Sequence, residues 1–295
     1  MKKLITILLT SAALLALHPG RAEAEEPSYI YTIIGGEATV IGYSGEPEFI
    51  SIPDTLEGCP VTGIRDNAFY ECDSLRQIAL PDTIEKIGHH CFYACTSLES
   101  VQLPDSISEI GDGCFCGCTG LVSARLPEGL AEIPDSCFRA CTSLERIDLP
   151  RDAVAVKEYC FSACTGLRQV NIGENLKNID KCVFYMCSSL DSIYIPQSVA
   201  EIGDFAVGFV PTEKGSEQKP GFTVIGAKGS AAEKYAEENS LSFTSADGAV
   251  QAMAVIEMSR KRSPYFYWFA AVWGALAAAG ALTVVRIIHQ KSTKR

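Results

Sequence analysis

The feature that most constrains this chain is a period. Pro81, Pro104, Pro127, Pro150 and Pro196 stand 23 residues apart, with Gly173 in the one remaining slot. An earlier unit opens at Pro53 and carries five extra residues around Glu57 to Val61. Stacking the units gives columns. Phenylalanine recurs at Phe69, Phe92, Phe115, Phe138, Phe161 and Phe184, and leucine at Leu75, Leu98, Leu121, Leu144, Leu167 and Leu190. An isoleucine column runs from Ile64 to Ile202 with Val156 as its one variant, and a fourth apolar column runs from Leu80 to Ile195. A 23-residue unit with one apolar face cannot bury that face alone, whereas stacked neighbours can. The expected fold is an α/β repeat, a solenoid of about seven units.

Each unit divides in two. The stretch before each proline, such as Leu98 to Leu103, alternates like a half-buried strand, and proline ends it because it cannot donate to a ladder. The other half, as in CFYACTSL from Cys91 to Leu98, is expected to form a short turn of helix or 3₁₀ structure. Its cysteines form two columns. Cys72, Cys95, Cys118, Cys141, Cys164 and Cys187 make a complete one, and Cys91, Cys114, Cys137 and Cys160 a second that is filled by Ala68, Val183 and Ala206 elsewhere. A position that accepts Ala, Val or Cys behaves as a small buried site. Two rival readings stay open. Adjacent strands stand about 4.8 Å apart, near the window for a disulfide, although thirteen cysteines cannot all pair. A metal or redox array needs ligands converging on one point, whereas these columns march apart. His89 and His90 precede Cys91, and a Cys–His nucleophile would need a third, orienting group that is not visible. No serine elbow, phosphate loop or zinc motif appears.

LxxLxL strands at this period, with AFxxCxSL around them, resemble the BspA-type leucine-rich repeats of bacterial cell-surface proteins. The best single match is ISIPDTLEGCPVTGIRDNAFYECDSL, Ile50 to Leu75. YTIIGGEATVIGYSGEPEFISIP from Tyr31 resembles the family's strand-rich lead-in, and VIGAKGSAAEKYAEENSLSF, Val224 to Phe243, its terminal unit. The resemblance implies a leucine-rich-repeat solenoid with an extracellular adhesion or ligand-binding role and no catalysis. Independently of it, Ser230 and Glu233 form a capping-box pattern for a helix through Asn239. PTEKGSEQKPG, Pro211 to Gly221, reads as a surface loop.

The two ends differ from the middle. Lys2 and Lys3, the apolar run Leu4 to Leu17 and Ala22-Glu23-Ala24 read as a cleavable signal peptide. Ser263 to Val285 is 23 residues without a charge, long enough to span a bilayer, with aromatic residues from Tyr265 to Phe269 at one edge. No LPxTG motif precedes it, so the helix is expected to remain as the anchor. The expected organisation is a signal peptide (1–24), a strand-rich cap (25–52), leucine-rich repeats (53–209), a capping unit (210–245), a juxtamembrane linker (246–262), a transmembrane helix (263–288) and a cytoplasmic tail (289–295). This places an extracellular ectodomain on a single-pass anchor in the cell membrane. Residues 25–259 hold 35 acidic and 15 basic side chains, a net −20. So acidic a surface repels phosphate backbones and excludes nucleic acid as a partner.

Outward side chains of the strands form one polar face, about 30 Å long for six or seven coils. Binding hot spots favour Trp, Tyr and Arg, which singles out Arg125, Arg146 and Tyr194. The functional expectation is a membrane-anchored, non-catalytic repeat protein that binds a partner protein or cell-surface ligand, with no catalytic residue, metal or cofactor. Two alternatives stand beside it: a structural envelope spacer without a specific ligand, and a thiol or metal-binding protein that uses the cysteine columns.

Overall fold

A computed structural model describes residues 28–246. The expected signal peptide, membrane helix and tail lie outside the described residues, as does the linker beyond residue 246. Among the described residues no helix is long and apolar enough to cross a membrane.

The chain opens with a hairpin of β1 (Ser28–Ile34) and β2 (Glu37–Ser44). Gly35 and Gly36 form its two-residue turn, with φ of +66° and +89°. Two consecutive positive φ values are what a type I′ turn requires, and glycine adopts them without a Cβ penalty. β2 then pairs in parallel with Cys59–Ile64, which passes the ladder to Lys86–Ile87 and Glu109–Ile110. Glu132–Ile133, Ala155–Val156, Asn178–Ile179 and Glu201–Ile202 continue as a second parallel run. These short strands form one side of the coil.

The second side begins at β3 (Phe49–Ser51) and runs through Gln77–Ala79, Ser100–Gln102 and Ser123–Arg125. Arg146–Asp148 pairs with Gln169–Asn171, and Ser192–Tyr194 leads into Thr223–Gly226 and Ser242–Ser245. From Gln77 to Arg125 the paired residues are 23 positions apart, so the register is the sequence period. Counting the lead-in strand and the terminal coils, the solenoid has about nine turns rather than seven.

The third side corrects one expectation. The CFxxC segments are neither α-helix nor 3₁₀ helix but hydrogen-bonded turns, which makes the repeat a β-solenoid and not an α/β one. The reason is where their N–H groups go. Phe92 N donates to Cys114 O, Phe115 N to Cys137 O and Phe138 N to Cys160 O, all at 2.8 Å. His90 N and Ala94 N likewise donate to Asp112 O and Cys116 O in the next coil. Donors spent between coils cannot close i→i−4 bonds. Two residues per coil take left-handed backbone to allow this, such as His90 (φ 51°) with Ala94 (φ 54°) and Gly113 (φ 61°) with Gly117 (φ 77°).

The core fills the space between the three sides. All six phenylalanines of the column are buried, and their rings stack at centroid distances from 5.2 to 5.5 Å with planes within 9° of parallel. At that spacing near-parallel rings are offset, the favoured arrangement for π systems. Tyr43 of β2 extends the stack onto Phe69 at 5.3 Å.

At the far end α1 (Ala231–Glu238) follows Ser230 as N-cap and ends at Asn239. The capping box is not made: Glu233 reaches one residue past the N-cap. Glu233 accepts from Gly229 N at 2.6 Å, while the Ser230 side chain makes no cap bond. The stretch read as a loop from Pro211 to Gly221 instead holds most of a hairpin, Phe209–Thr212 with Gly215–Gln218. Phe138→Ala, in the middle of the ring stack, should lower unfolding stability by about 3–5 kcal/mol in a denaturant titration. A loss under 1 kcal/mol would mean that the stack relaxes around the cavity.

Candidate functional site

The second side carries the candidate face. In each strand the middle residue points inward: Ile78, Val101, Ile147, Val170 and Ile193 are buried, and Ala124 is half-buried. The flanking residues point out and form two columns. One runs Phe49, Gln77, Ser100, Ser123, Arg146, Gln169, Ser192, Thr223 and Ser242, and the other Ser51, Ala79, Gln102, Arg125, Asp148, Asn171, Tyr194, Ile225 and Thr244. At about 4.8 Å per strand the face is about 38 Å long. It is longer than the repeat count implied, because the terminal coils extend it.

The three singled-out residues all lie here, but not together. Arg125 turns toward the proline corner, where it donates to Leu103 O at 2.9 Å and forks onto Asp105 at 2.8 and 2.9 Å. Asp105 also accepts Glu128 N at 3.1 Å. The Arg125 hydrogen bonds, ahead of that backbone donor, hold the Asp105 carboxyl below the usual carboxylate range. Arg146 instead lies along its own strand and forks onto Asp148 at 2.9–3.1 Å. Asp148 also accepts from Asn171, which in turn accepts from Gln169 at 3.2 Å. Tyr194 is half-buried one strand beyond Asn171. Arg146, Asp148, Asn171 and Tyr194 therefore share one continuous stretch of the face, and Arg125 stands apart from it.

Exposed ion pairs contribute little to stability, with a median of about 0–1 kcal/mol. Their effect here is to fix direction, since a forked arginine presents a rigid planar edge. An open groove of about 530 Å³ adjoins the same side, lined by Glu48, Ser74, Arg76, Ser97, Glu99 and Gly120. Arg76 pairs with Glu99 inside it.

The cysteines do not form a site. All thirteen are free thiols, and ten of them are buried; Cys59, Cys116 and Cys182 are half-buried. Cys95, Cys118, Cys141, Cys164 and Cys187 each donate Sγ–H to the phenylalanine carbonyl of the preceding coil at 3.0–3.2 Å. Burial pushes the Cys91, Cys114, Cys137, Cys141 and Cys160 thiols well up, away from the reactive thiolate. His89 Nδ1 accepts Asp112 N at 2.9 Å, and the His90 ring lies edge-on to Tyr93 at 5.7 Å, so neither imidazole is engaged with Cys91. Among the described residues no group of three His, Cys, Asp or Glu side chains is placed to hold a metal ion.

Strand reasoning missed a second row, on the turn side, that is exposed at Tyr70 and Arg139, half-buried at Tyr93, Cys116 and Tyr185 and buried at Ser162. Tyr70 stacks on Tyr93 at 4.9 Å, the Arg139 guanidinium lies 5.9 Å over the Tyr159 ring, and Tyr185 Oη pairs with Ser216 at 2.8 Å. The signal was available in the variable position of CFxxC, which reads Tyr70, Tyr93, Cys116, Arg139, Ser162 and Tyr185.

The model of the BspA-type leucine-rich repeat region matches this chain in six copies over residues 62–187 and 140–210. The chain belongs to that family. A solved leucine-rich repeat protein of Treponema pallidum is 28% identical, with a TM-score of 0.50, covering 60% of this chain and 79% of that one. A leucine-rich cell surface protein of Faecalibacterium prausnitzii is 23% identical, with a TM-score of 0.53, covering 69% of this chain and 61% of that one. A leucine-rich repeat protein of Eubacterium ventriosum is 21% identical with the same TM-score of 0.53, covering 60% of this chain and 48% of that one. The latter two share the fold. No curated protein matches the chain.

Two outcomes follow from the geometry. Alkylation of the native protein, read by intact mass, should label at most Cys59, Cys116 and Cys182, with the other ten thiols reacting only after denaturation. Replacing Arg125 with methionine should raise the Asp105 pKa toward its ordinary value, read by NMR titration. The sign is that of a carboxylate with a lowered folded pKa: the clamp is complete above the unfolded value of about 3.9 and is lost as pH falls through the folded one.

Proposed function

We propose that this chain is a membrane-anchored, extracellular repeat protein that binds a partner protein or cell-surface component through its strand face, without catalysis. The observation that carries this reading is the stretch Arg146–Asp148–Asn171–Tyr194. It is a polar and partly aromatic edge on neighbouring strands of the solenoid, with Arg146, Asp148 and Asn171 tied together by hydrogen bonds. Rigid presentation lowers the ordering cost of binding. Family membership supports it, because bacterial surface repeats of this class are generally protein-binding and typically non-catalytic. The signal-like residues 1–24 and the uncharged stretch Ser263 to Val285 support export and anchoring.

A second reading, a spacer without a specific ligand, is favoured by one feature. The arginines of the face are already engaged by carboxylates of their own chain. The thiol reading draws no support from buried, hydrogen-bonded sulfur.

A photo-cross-linking residue at position 194 on intact cells should capture a partner saturably, and one at Val154, exposed elsewhere on the coil, should not. Arg146→Ala or Tyr194→Ala should then weaken binding by about fivefold or more, the threshold of a hot spot near 1 kcal/mol. Absence of saturable capture at both positions would leave the spacer reading standing.

A further inference from the structure

Eight large apolar side chains are exposed among the described residues, and four of them sit at the N-terminal end: Ile30, Ile33, Ile34 and Phe49. Ile34 is 71% exposed. They lie on β1 and β3, the terminal strands of the first and second sides. β1 is hydrogen-bonded to β2 along one edge, and among the described residues no strand pairs with its other edge. Its sequence, SYIYTII, holds six β-forming residues in seven, without a charge or a proline. Natural edge strands are normally blunted by short length, lysine or proline, because a row of open N–H and C=O groups recruits another strand.

The opposite end is built differently. Its edge strand Ser242–Ser245 is polar, and α1 packs against it and against Thr223–Gly226. One end of the solenoid therefore carries the polar cap that repeat proteins use for solubility, and the other carries an apolar, open edge.

The geometry points to a second copy of this chain as the occupant: β1 pairs with β1 of a partner, antiparallel, about a twofold axis. Only an extended strand satisfies an open edge. A twofold through Ile33 places the same uncharged segment on both sides, with Ile33 brought against its equivalent, and it closes after two copies. Pairing β1 with the Ser242–Ser245 edge of another copy would instead set isoleucines against serine and threonine and would not close. The register shift between Ile30 and Tyr31 turns the first residues aside, so pairing centres on Ile33, beyond that shift. Residues 25–259 carry a net −20, so the two copies repel at long range, and the pairing strengthens as salt screens that repulsion.

The test is the mass of the full chain in detergent, measured by sedimentation across a concentration series. The expected result is a dimer whose dissociation constant falls with added salt. Ile33→Lys combined with Ile34→Lys should raise that constant at least about tenfold. Native thiol protection should stay unchanged in this variant, which shows that the solenoid is still folded. Ile33→Cys should give a covalent dimer under mild oxidation that the wild-type chain does not give. A monomer at every concentration would overturn the proposal. So would a dimer indifferent to the two lysines, or a chain in which the residues before Ser28 themselves protect the β1 edge from exchange.

Discussion

The interaction on which the rest depends is the backbone ladder between coils on the turn side. Each coil gives its N–H groups at the equivalents of His90, Phe92 and Ala94 to the carbonyls of the next. That ladder, with the parallel strands of the other two sides, holds every coil in the register of its neighbours. Ring stacking, the sulfur–carbonyl bonds and the outward columns are all consequences of that register. A unit one residue longer would move its phenylalanine off the stack. The insertion in the first unit shows how the constraint is met. The extra residues after Pro53 leave the coil as a hairpin, Thr55–Leu56 with Cys59–Ile64, turning through Glu57 and Gly58 at φ 51° and 78°.

The same register explains the cysteines. The space beside each phenylalanine admits a side chain between alanine and valine in size, and cysteine fits it. At the complete column it adds something neither offers, a weak donor aimed at the carbonyl of the preceding phenylalanine. A hydroxyl would also donate, but it costs more to strip of water than a thiol does. Repeated cysteines in this chain are therefore a packing solution. What distinguishes one coil from the next lies outside, in the strand face and in the aromatic row on the turn side.

Much of this was legible in the sequence because the period is strict. The columns Phe69 to Phe184 and Leu75 to Leu190, the strands before each proline, the inward and outward alternation and the boundaries of α1 near Ser230 and Asn239 all follow from spacing. The turn conformation did not. Non-glycine residues such as Ala140 and Tyr159 take positive φ, which their side chains do not advertise, because the inter-coil bonds outweigh a local cost of about 1–2 kcal/mol. The Pro211 to Gly221 stretch was misread for a related reason, since its composition favours a loop while pairing with its own continuation makes a hairpin. Of the candidate site, spacing identified which side chains face outward. It did not show that Arg125 and Arg146 turn to different carboxylates, because Asp105 and Asp148 stand at different offsets from them.

The most direct measurement is residue-resolved amide hydrogen exchange on the turn side. The N–H groups of Phe92, Phe115, Phe138 and Phe161 should rank among the slowest in the protein, level with the core strands. If they exchange as fast as the exposed tip at Glu213 and Lys214, the inter-coil ladder does not hold, and the register that organises the core and both outer faces has another cause.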